Sequence, residues 1–126
     1  DAKAEESVDA LPNVRSKVRH DTFYQVAFVN DMGELVRMGE KLTFEEAVQM
    51  LQVAGYINKI VDEGMNKRGI LRKAISGIYT HDQRAARALA EAVGGSTVTE
   101  WHGSGQFGHY HSKEGHYHIW YGGPVY

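Results

Sequence analysis

Histidine is concentrated near the C-terminal end of this 126-residue chain. Five of its seven histidines fall within the last 25 residues, where four of them form two His-Tyr-His triplets. Because the unperturbed imidazole pKa of ~6.5 allows both protonation states near neutrality, clustered histidines can act as general acid and general base. Neutral imidazoles are also ligands of transition metals. The five are His102, His109, His111, His116 and His118.

The two triplets read as facing strands of a hairpin. Alternate residues of a strand share a face, so His109 and His111 project together, as do His116 and His118. If the numbers of facing residues sum to an odd number, as with a four-residue loop at 112–115, all four imidazoles share one face of the sheet. An even sum puts the two pairs on opposite faces. We expect the odd register, because it leaves an apolar face for the core. That face comprises Tyr110, Tyr117, Ile119 and Tyr121.

Two kinds of site use such a group of histidines. In the first, one imidazole removes the proton of an attacking 2′-hydroxyl in RNA and another protonates the leaving 5′-oxygen, while a cation stabilises the charged intermediate. In the second, a His-x-His pair and a third histidine from the facing strand bind zinc, iron or nickel, and Glu100 or Glu114 could complete the ligand set. The chain has no cysteine, which excludes disulfides, thiolate zinc sites, iron–sulfur clusters and a cysteine nucleophile.

One possible metal motif has a specific spacing. Gly103, His109 and His111, followed by Glu114, resemble the first metal-binding motif of the cupin family. The sequence departs from that motif in the short gap before the glutamate, in the lack of a second motif downstream, and in the helices predicted upstream. A cupin β-sandwich is therefore not the fold that we expect.

The composition indicates one domain that makes no membrane contact in isolation. Hydrophobic residues make up 42% of the chain and charged residues 24%, and no apolar run approaches the roughly 20 residues that a membrane span needs. The formal net charge of -2 gives no overall basic excess for binding nucleic acid, so local clusters must supply any phosphate contacts. Residues 64–91 contain six basic side chains against Asp82 and Glu91. These are Lys67, Arg68, Arg72, Lys73, Arg84 and Arg87.

The sequence before the histidine-rich stretch predicts a hairpin and a helix. Residues 23–29 are rich in aromatic and β-branched side chains and end at the turn-forming residues 30–33. They predict a strand, with a short partner strand at residues 35–36. A capping box at residues 43–46 predicts a helix whose apolar face runs to Ala54.

The middle of the chain is less regular. Residues 56–73 combine helical spacing with interrupting glycines and predict a loop with helical pieces. Residues 74–79 predict a strand, and a second capping box at residues 80–83 predicts a helix over residues 82–93. The remainder from Thr97 has strand propensity, many glycines and no helical period. The chain is therefore predicted as α+β, with a β-rich C-terminal part.

Several short motifs occur in an order that resembles the C-terminal toxin domains of bacterial polymorphic toxins, including the effectors of contact-dependent growth inhibition. The resemblance covers about residues 23–122 and includes the helix that begins at residues 42–47. Residues 1–21 would then be a lead-in at the end of a preceding delivery region, and residues 22–126 a single toxin domain. The motifs are Ile78-Tyr79-Thr80, Asp82, Ala85-Ala86-Arg87-Ala88-Leu89-Ala90, Gly94-Gly95, His102-Gly103, Gly108-His109-Tyr110-His111 and His118-Ile119-Trp120-Tyr121-Gly122.

This resemblance implies an antibacterial ribonuclease. The implied fold is that of the barnase/EndoU/colicin/RelE group, in which N-terminal helices pack on a twisted antiparallel sheet that bears the active site. The implied substrate is RNA, most commonly transfer RNA, and the implied partner is a cognate immunity protein that binds the monomeric domain and blocks its site. The parent effector would be exported to the surface of the producing cell and would act in the cytoplasm of the target bacterium.

We therefore expect a metal-independent ribonuclease domain, without a cofactor, that leaves 2′,3′-cyclic phosphate ends. His109 and His111 are the first candidates for general acid and general base. His118 and His102 follow them, and Tyr121 or Lys113 is expected to contact phosphate. A metal-dependent nuclease or hydrolase with the same histidines as ligands, and a non-catalytic metal- or ligand-binding module, are the alternative interpretations. The candidates for substrate binding are Lys113, His116, Arg72, Lys73 and Trp120.

Overall fold

A five-stranded mixed sheet with helices on one face is the framework that positions the histidines. The computed structural model describes residues 22–30, 32–53, 55–67, 75–96, 98–113 and 116–125, so the segment interpreted as a lead-in lies outside the described residues. No helix among the described residues has the length and apolar character needed to cross a membrane. The strands are β1 (Tyr24–Val29), β2 (Leu35–Leu42), β3 (Ser76–Thr80), β4 (Gln106–His111) and β5 (His118–Val125), and the helices are α1 (Phe44–Gln52), α2 (Tyr56–Lys67) and α3 (Gln83–Ala92).

The sheet order is β2-β1-β3-β5-β4. β1 pairs antiparallel with β2 and β3, and β4 pairs antiparallel with β5, but β3 and β5 run parallel. The α+β class is confirmed, whereas the expectation of a wholly antiparallel sheet is wrong at the β3–β5 pairing. A parallel pair needs a crossover connection, which here runs through α3 and β4. The implied fold places its helices N-terminal to the sheet. All of the described helices instead follow β1 and β2 in the sequence.

The first hairpin is longer than the sequence predicts. β2 extends to Leu42, well past the short strand expected at residues 35–36. Asn30 builds the turn, since its side-chain oxygen accepts hydrogen bonds from the backbone N–H groups of Met32 (3.0 Å) and Glu34 (2.8 Å). β2 lies at an edge of the sheet and is mostly exposed or half-buried, so it lacks the apolar pattern on which strand prediction depends.

The first two helices agree with the sequence in different degrees. α1 begins as predicted, because the Thr43 hydroxyl accepts from the Glu46 N–H (3.2 Å) and the Glu46 carboxylate accepts from the Thr43 N–H (2.9 Å). α2 is one continuous helix, so the prediction of a loop with helical pieces is wrong over its residues. Gly64 weakens the helical signal. Its position is explained by packing, since a Cβ there would collide with the side chain of Met38.

α3 begins at a different cap from the predicted one. Asp82 is the N-cap residue, and its carboxylate accepts a hydrogen bond from the Arg84 N–H at 2.8 Å. Thr80, which the predicted capping box uses as its first residue, is the last residue of β3 and is fully buried. The helix lies within the predicted range 82–93, and only its start is set by another residue.

The two faces of the sheet carry different residues. The helices cover one face, where the core includes Phe28, Ile57 and Ile119. The opposite face carries a smaller apolar cluster around Tyr79 and Trp120. Because side chains alternate along a strand, the histidines of β4 and β5 lie on this second face, which we call the histidine face.

Candidate functional site

The pairing of β4 with β5 decides which histidines meet. His111 faces His118 and His109 faces Trp120, so the facing numbers sum to an odd number, as predicted. A four-residue loop would pair His111 with residue 116, so the observed pairing is shifted by two residues along the chain. A wider loop causes the difference, since the Ser112 N–H donates to the carbonyl of Tyr117 at 2.9 Å. His118 therefore faces His111, where the four-residue loop would have placed His116.

Four imidazoles converge on the histidine face, and we call His102, His109, His111 and His118 the imidazole cluster. The ring centroid of His109 lies 4.3 Å from that of His118. It lies 4.9 Å from the ring centroid of His111 and 4.9 Å from that of His102. The rings of His111 and His118 are 4.7 Å apart. These separations are direct ring contacts, so each imidazole changes the electrostatics of its neighbours.

Glu100 attaches to this cluster from a segment outside the main strands. Its backbone bridges that of His109, with hydrogen bonds of 2.8 and 2.9 Å in the two directions. One carboxylate oxygen lies 2.9 Å from Nδ1 of His111, and the other lies 4.0 Å from Nε2 of His102. A carboxylate beside Nδ1 favours the tautomer with the proton on Nδ1 and the lone pair on Nε2. Glu100 therefore orients the chemistry of His111.

The buried part of the cluster disfavours positive charge. His109 is only 3% exposed, and burial lowers its pKa below 6.5, aided by the nearby His111 and His102. Glu100 and a hydrogen bond to the Phe107 backbone oppose that shift. Burial, followed by repulsion from His109, His111 and His102, lowers the pKa of His118 to about 4. Both imidazoles are therefore neutral at pH 7.

Two ring nitrogens in the cluster have no hydrogen-bond partner. Nε2 of His109 and Nδ1 of His118 are buried and accept or donate no hydrogen bond. Most buried polar atoms in proteins are hydrogen-bonded, so each exception calls for an explanation. A role in proton transfer, an ordered water and a bound ion are each explanations for such atoms.

Two overlapping sets of side chains have the spacing of metal ligands. One nitrogen each from His109, His111 and His118 lie within 4.8 Å of one another, and the same holds for donor atoms of Glu100, His102 and His109. Three imidazoles with a fourth open position form a ligand set that catalytic zinc sites use. The first set is the less exposed of the two.

Of the aromatic candidate residues, Trp120 lies beside the cluster and Tyr121 lies on the other face of the sheet. Tyr121 packs with the core on the helix-covered face, where its hydroxyl pairs with that of Thr99. Trp120 is on the histidine face, but it is 5% exposed and packs against Ala27 and Tyr79, with its ring 5.4 Å from that of His118. It has little surface left for stacking on a base.

The predicted substrate-binding residues are divided between two regions. Lys113 and His116 line a cavity of about 670 Å³ with Ser112, Tyr117 and residues of α1 and α2, and neither belongs to the imidazole cluster. Arg72 and Lys73 lie outside the described residues. Of the remaining basic residues, Arg87 pairs with Glu91 at 3.0 Å on the surface of α3.

Sequence reasoning named Glu100 only as a possible metal ligand and missed its role beside His111. The segment reaches β4 because residues 102–105 turn the chain back, with Gly103 and Gly105 at positive φ. Strand propensity before Trp101 was the available signal, but it did not specify a partner. No protein-family model, curated protein or solved structure matches the chain.

Proposed function

We propose that this chain is the ribonuclease domain of an antibacterial toxin and that the imidazole cluster, together with Glu100, is its catalytic centre. One observation carries the proposal. A single carboxylate, that of Glu100, contacts His111 through one oxygen and approaches His102 through the other. Two imidazoles held beside one carboxylate provide the pair of proton-transfer groups that cleavage of an RNA phosphodiester requires.

The proton transfers follow from these contacts. Nε2 of His111 accepts the proton of the ribose 2′-hydroxyl, while Glu100 holds the proton on Nδ1. The 2′-oxygen then attacks the adjacent phosphorus, and the bond from phosphorus to the 5′-oxygen breaks. His102, whose side chain is 57% exposed, enters the step as imidazolium and gives its proton to that leaving oxygen, so that the proton on His111 must return to His102 through solvent before the next cycle. The products are a 2′,3′-cyclic phosphate and a free 5′-hydroxyl.

His109 and His118 have a different part in this proposal. His109 is too buried to contact a polynucleotide directly, and its ring touches those of His102, His111 and His118. We assign it a positioning role behind the two exposed imidazoles, although the sequence ranked it first for acid or base. His118 supports His111 from the facing strand.

Substrate and partner are supported by the motif resemblance. Polymorphic-toxin ribonucleases commonly cleave transfer RNA and are neutralised by an immunity protein, and we extend both expectations to this chain. The net charge of -2 favours a substrate held by local contacts rather than by a broad basic surface. Export with a larger effector and action in the cytoplasm of the target cell belong to the same proposal.

The test is cleavage of total bacterial RNA by the purified domain, with and without EDTA, followed by analysis of fragment ends. Discrete transfer-RNA fragments with 2′,3′-cyclic phosphate, formed equally in EDTA and abolished by His111→Ala, are the expected result. His81→Ala is the matched control, because His81 contacts Phe23 and lies outside the cluster. Absence of cleavage on every RNA would contradict the proposal, and loss of cleavage in EDTA would favour the metal-dependent alternative.

A further inference from the structure

The three less exposed imidazoles of the cluster also have the geometry of a metal site. Donor nitrogens of His109, His111 and His118 lie within 4.8 Å of one another. In a tetrahedral zinc site, nitrogens about 2.0–2.1 Å from the ion are about 3.3 Å from each other. To bind one ion, the three side chains must rotate so that their nitrogens close this difference. We propose that these three histidines bind one divalent transition-metal ion of the zinc class.

The unpartnered nitrogens supply an independent reason for this site. Nε2 of His109 and Nδ1 of His118 are buried without a hydrogen-bond partner, and leaving such atoms unsatisfied costs stability. A cation bound between the rings satisfies both atoms at once. Surface histidines that serve only as solvated polar residues do not have buried, unpartnered nitrogens.

The surrounding contacts match those that orient metal ligands. Metal-binding histidines usually donate their second ring N–H to a carboxylate or to a backbone carbonyl. Nδ1 of His111 lies 2.9 Å from a carboxylate oxygen of Glu100. Nε2 of His109 has no hydrogen-bond partner and is free to bind an ion.

Binding of the ion has a consequence that rests on the proposed function. Nε2 of His111 cannot hold a metal ion and accept the 2′-hydroxyl proton at the same time. Zinc is therefore an inhibitor of the proposed cleavage, and the cluster acts as a metal-sensitive active site. Metal binding itself does not depend on whether the domain cleaves RNA.

Binding is tested with domain that has first been stripped of metal by a chelator. Zn²⁺ is titrated in competition with a chromophoric chelator, and one equivalent is expected to bind. His118→Ala is expected to weaken binding by about 100-fold or more, and Glu100→Ala, which removes only the orienting contact, by about 10- to 100-fold. His81→Ala and Glu40→Ala are the matched controls and should bind as the unmodified chain does. Equal zinc affinity in the unmodified chain and in His118→Ala would overturn the site.

A second measurement needs no variant and so does not depend on the folding of altered chains. Co²⁺ added to the metal-free domain should give the intense visible absorption of a four-coordinate nitrogen site, and Zn²⁺ should displace it. A spectrum like that of hydrated Co²⁺ would contradict the proposed geometry.

The same samples separate the two proposals. Cleavage of RNA by the metal-stripped domain, free of chelator, that stops when one equivalent of Zn²⁺ is added supports both. Zinc binding without cleavage under any condition retains the metal site and rejects the ribonuclease. Cleavage that is insensitive to Zn²⁺, with no binding in the titration, retains the ribonuclease and rejects the site. Cleavage that requires Zn²⁺ retains the site and rejects both the metal-free mechanism and the inhibitory role.

Discussion

At the scale of single residues, Glu100 is the side chain on which the proposed chemistry depends most directly. Its carboxylate lies 2.9 Å from Nδ1 of His111 and 4.0 Å from Nε2 of His102. Its side chain is 44% exposed, so its contribution to folding is small compared with its effect on the imidazoles. Stability and activity should therefore respond very differently when it is removed.

Glu100→Ala is expected to lower RNA cleavage on the order of 10²- to 10³-fold, because His111 loses the partner that fixes its tautomer. Its free energy of unfolding should change by less than about 1 kcal/mol. Initial rates on one RNA substrate and urea denaturation provide the two readouts. Glu40→Ala, an exposed change on β2, serves as the control. A large loss of stability with unchanged rate per folded molecule would show that Glu100 is structural.

The lowered imidazole pKa values predict acid sensitivity of the metal-free fold. The pKa of His118 falls to about 4 in the folded chain, against about 6.5 in the unfolded chain, and that of His109 shifts in the same direction. Between these pH values the unfolded chain binds more protons, so stability decreases as the pH falls from 6.5 towards 4. Lowering the pH from 7 to 5 should cost about 1–2 kcal/mol through His118, after allowance for its partial exposure.

Denaturation in chelator at several pH values measures this effect. His118→Asn should flatten the pH dependence between 7 and 5, whereas His81→Ala should leave it unchanged. The charged and titratable groups that face His118 are His102, His109 and His111, with Glu100 behind them, so the variant also reports on their coupling. An unaltered slope in His118→Asn would mean that other groups determine the acid response.

At the scale of elements, the parallel contact of β3 with β5 holds His118 in its position. Gly77 faces His118 across this contact, and a Cβ on Gly77 would collide with the carbonyl oxygen of His118. That oxygen is backbone, so it cannot rotate away as a flexible side chain would. Close approach of the two strands therefore requires glycine at this position.

Gly77→Ala is expected to destabilise the fold by about 1–3 kcal/mol and to weaken zinc binding in the molecules that remain folded. Gly123→Ala is the matched control, because a Cβ there meets nothing within 4 Å, and it should have little effect on either property. Thermal denaturation and the zinc competition titration measure the two effects. Full zinc affinity in folded Gly77→Ala would show that β3 does not set the position of His118.

The elements also explain how much the sequence could predict. Strand periodicity was sufficient to predict that His109 and His111 share one face, and the need for an unbroken apolar face favoured the odd register that brings His118 to the same side. The length of the loop was not predictable, since it depends on hydrogen bonds between Ser112 and Tyr117. The Thr43 cap was predictable because it involves only neighbouring residues.

Features that depend on distant contacts were missed for physical reasons. The continuity of α2 reflects the burial of Ile57, Val61 and Met65 in the core, which outweighs the low helix propensity of Gly64. The parallel β3–β5 pairing depends on the order of strands, about which local patterns carry no information. The role of Glu100 was missed for the same reason, because its pairing with His109 depends on the turn between the two residues.

At the scale of the whole molecule, the sheet separates the residues that stabilise the fold from those of the proposed site. Ile57 of α2 is fully buried on the helix-covered face, while the imidazole cluster lies on the other. A substitution that leaves a cavity on the helix-covered face should therefore reduce the stability of the fold without altering the spacing of the imidazoles.

Ile57→Ala is expected to cost about 2–4 kcal/mol of unfolding free energy. RNA cleavage and zinc affinity, measured well below the unfolding temperature, should stay within about twofold of the unmodified chain, because distant effects on stability and site are independent. Selective loss of either activity in folded protein would show that the helices and the histidine face are coupled.

The position of β5 in the sheet has a further consequence during synthesis. β5 follows every other described element in the sequence, yet it lies between β3 and β4. A nascent chain still on the ribosome without residues 118–125 lacks the strand that joins β4 to the other three. His118 is absent from such a chain, and β4 has no sheet to carry His109 and His111. On the proposed function, we expect the nascent chain to have no ribonuclease activity until residues 118–125 have been translated.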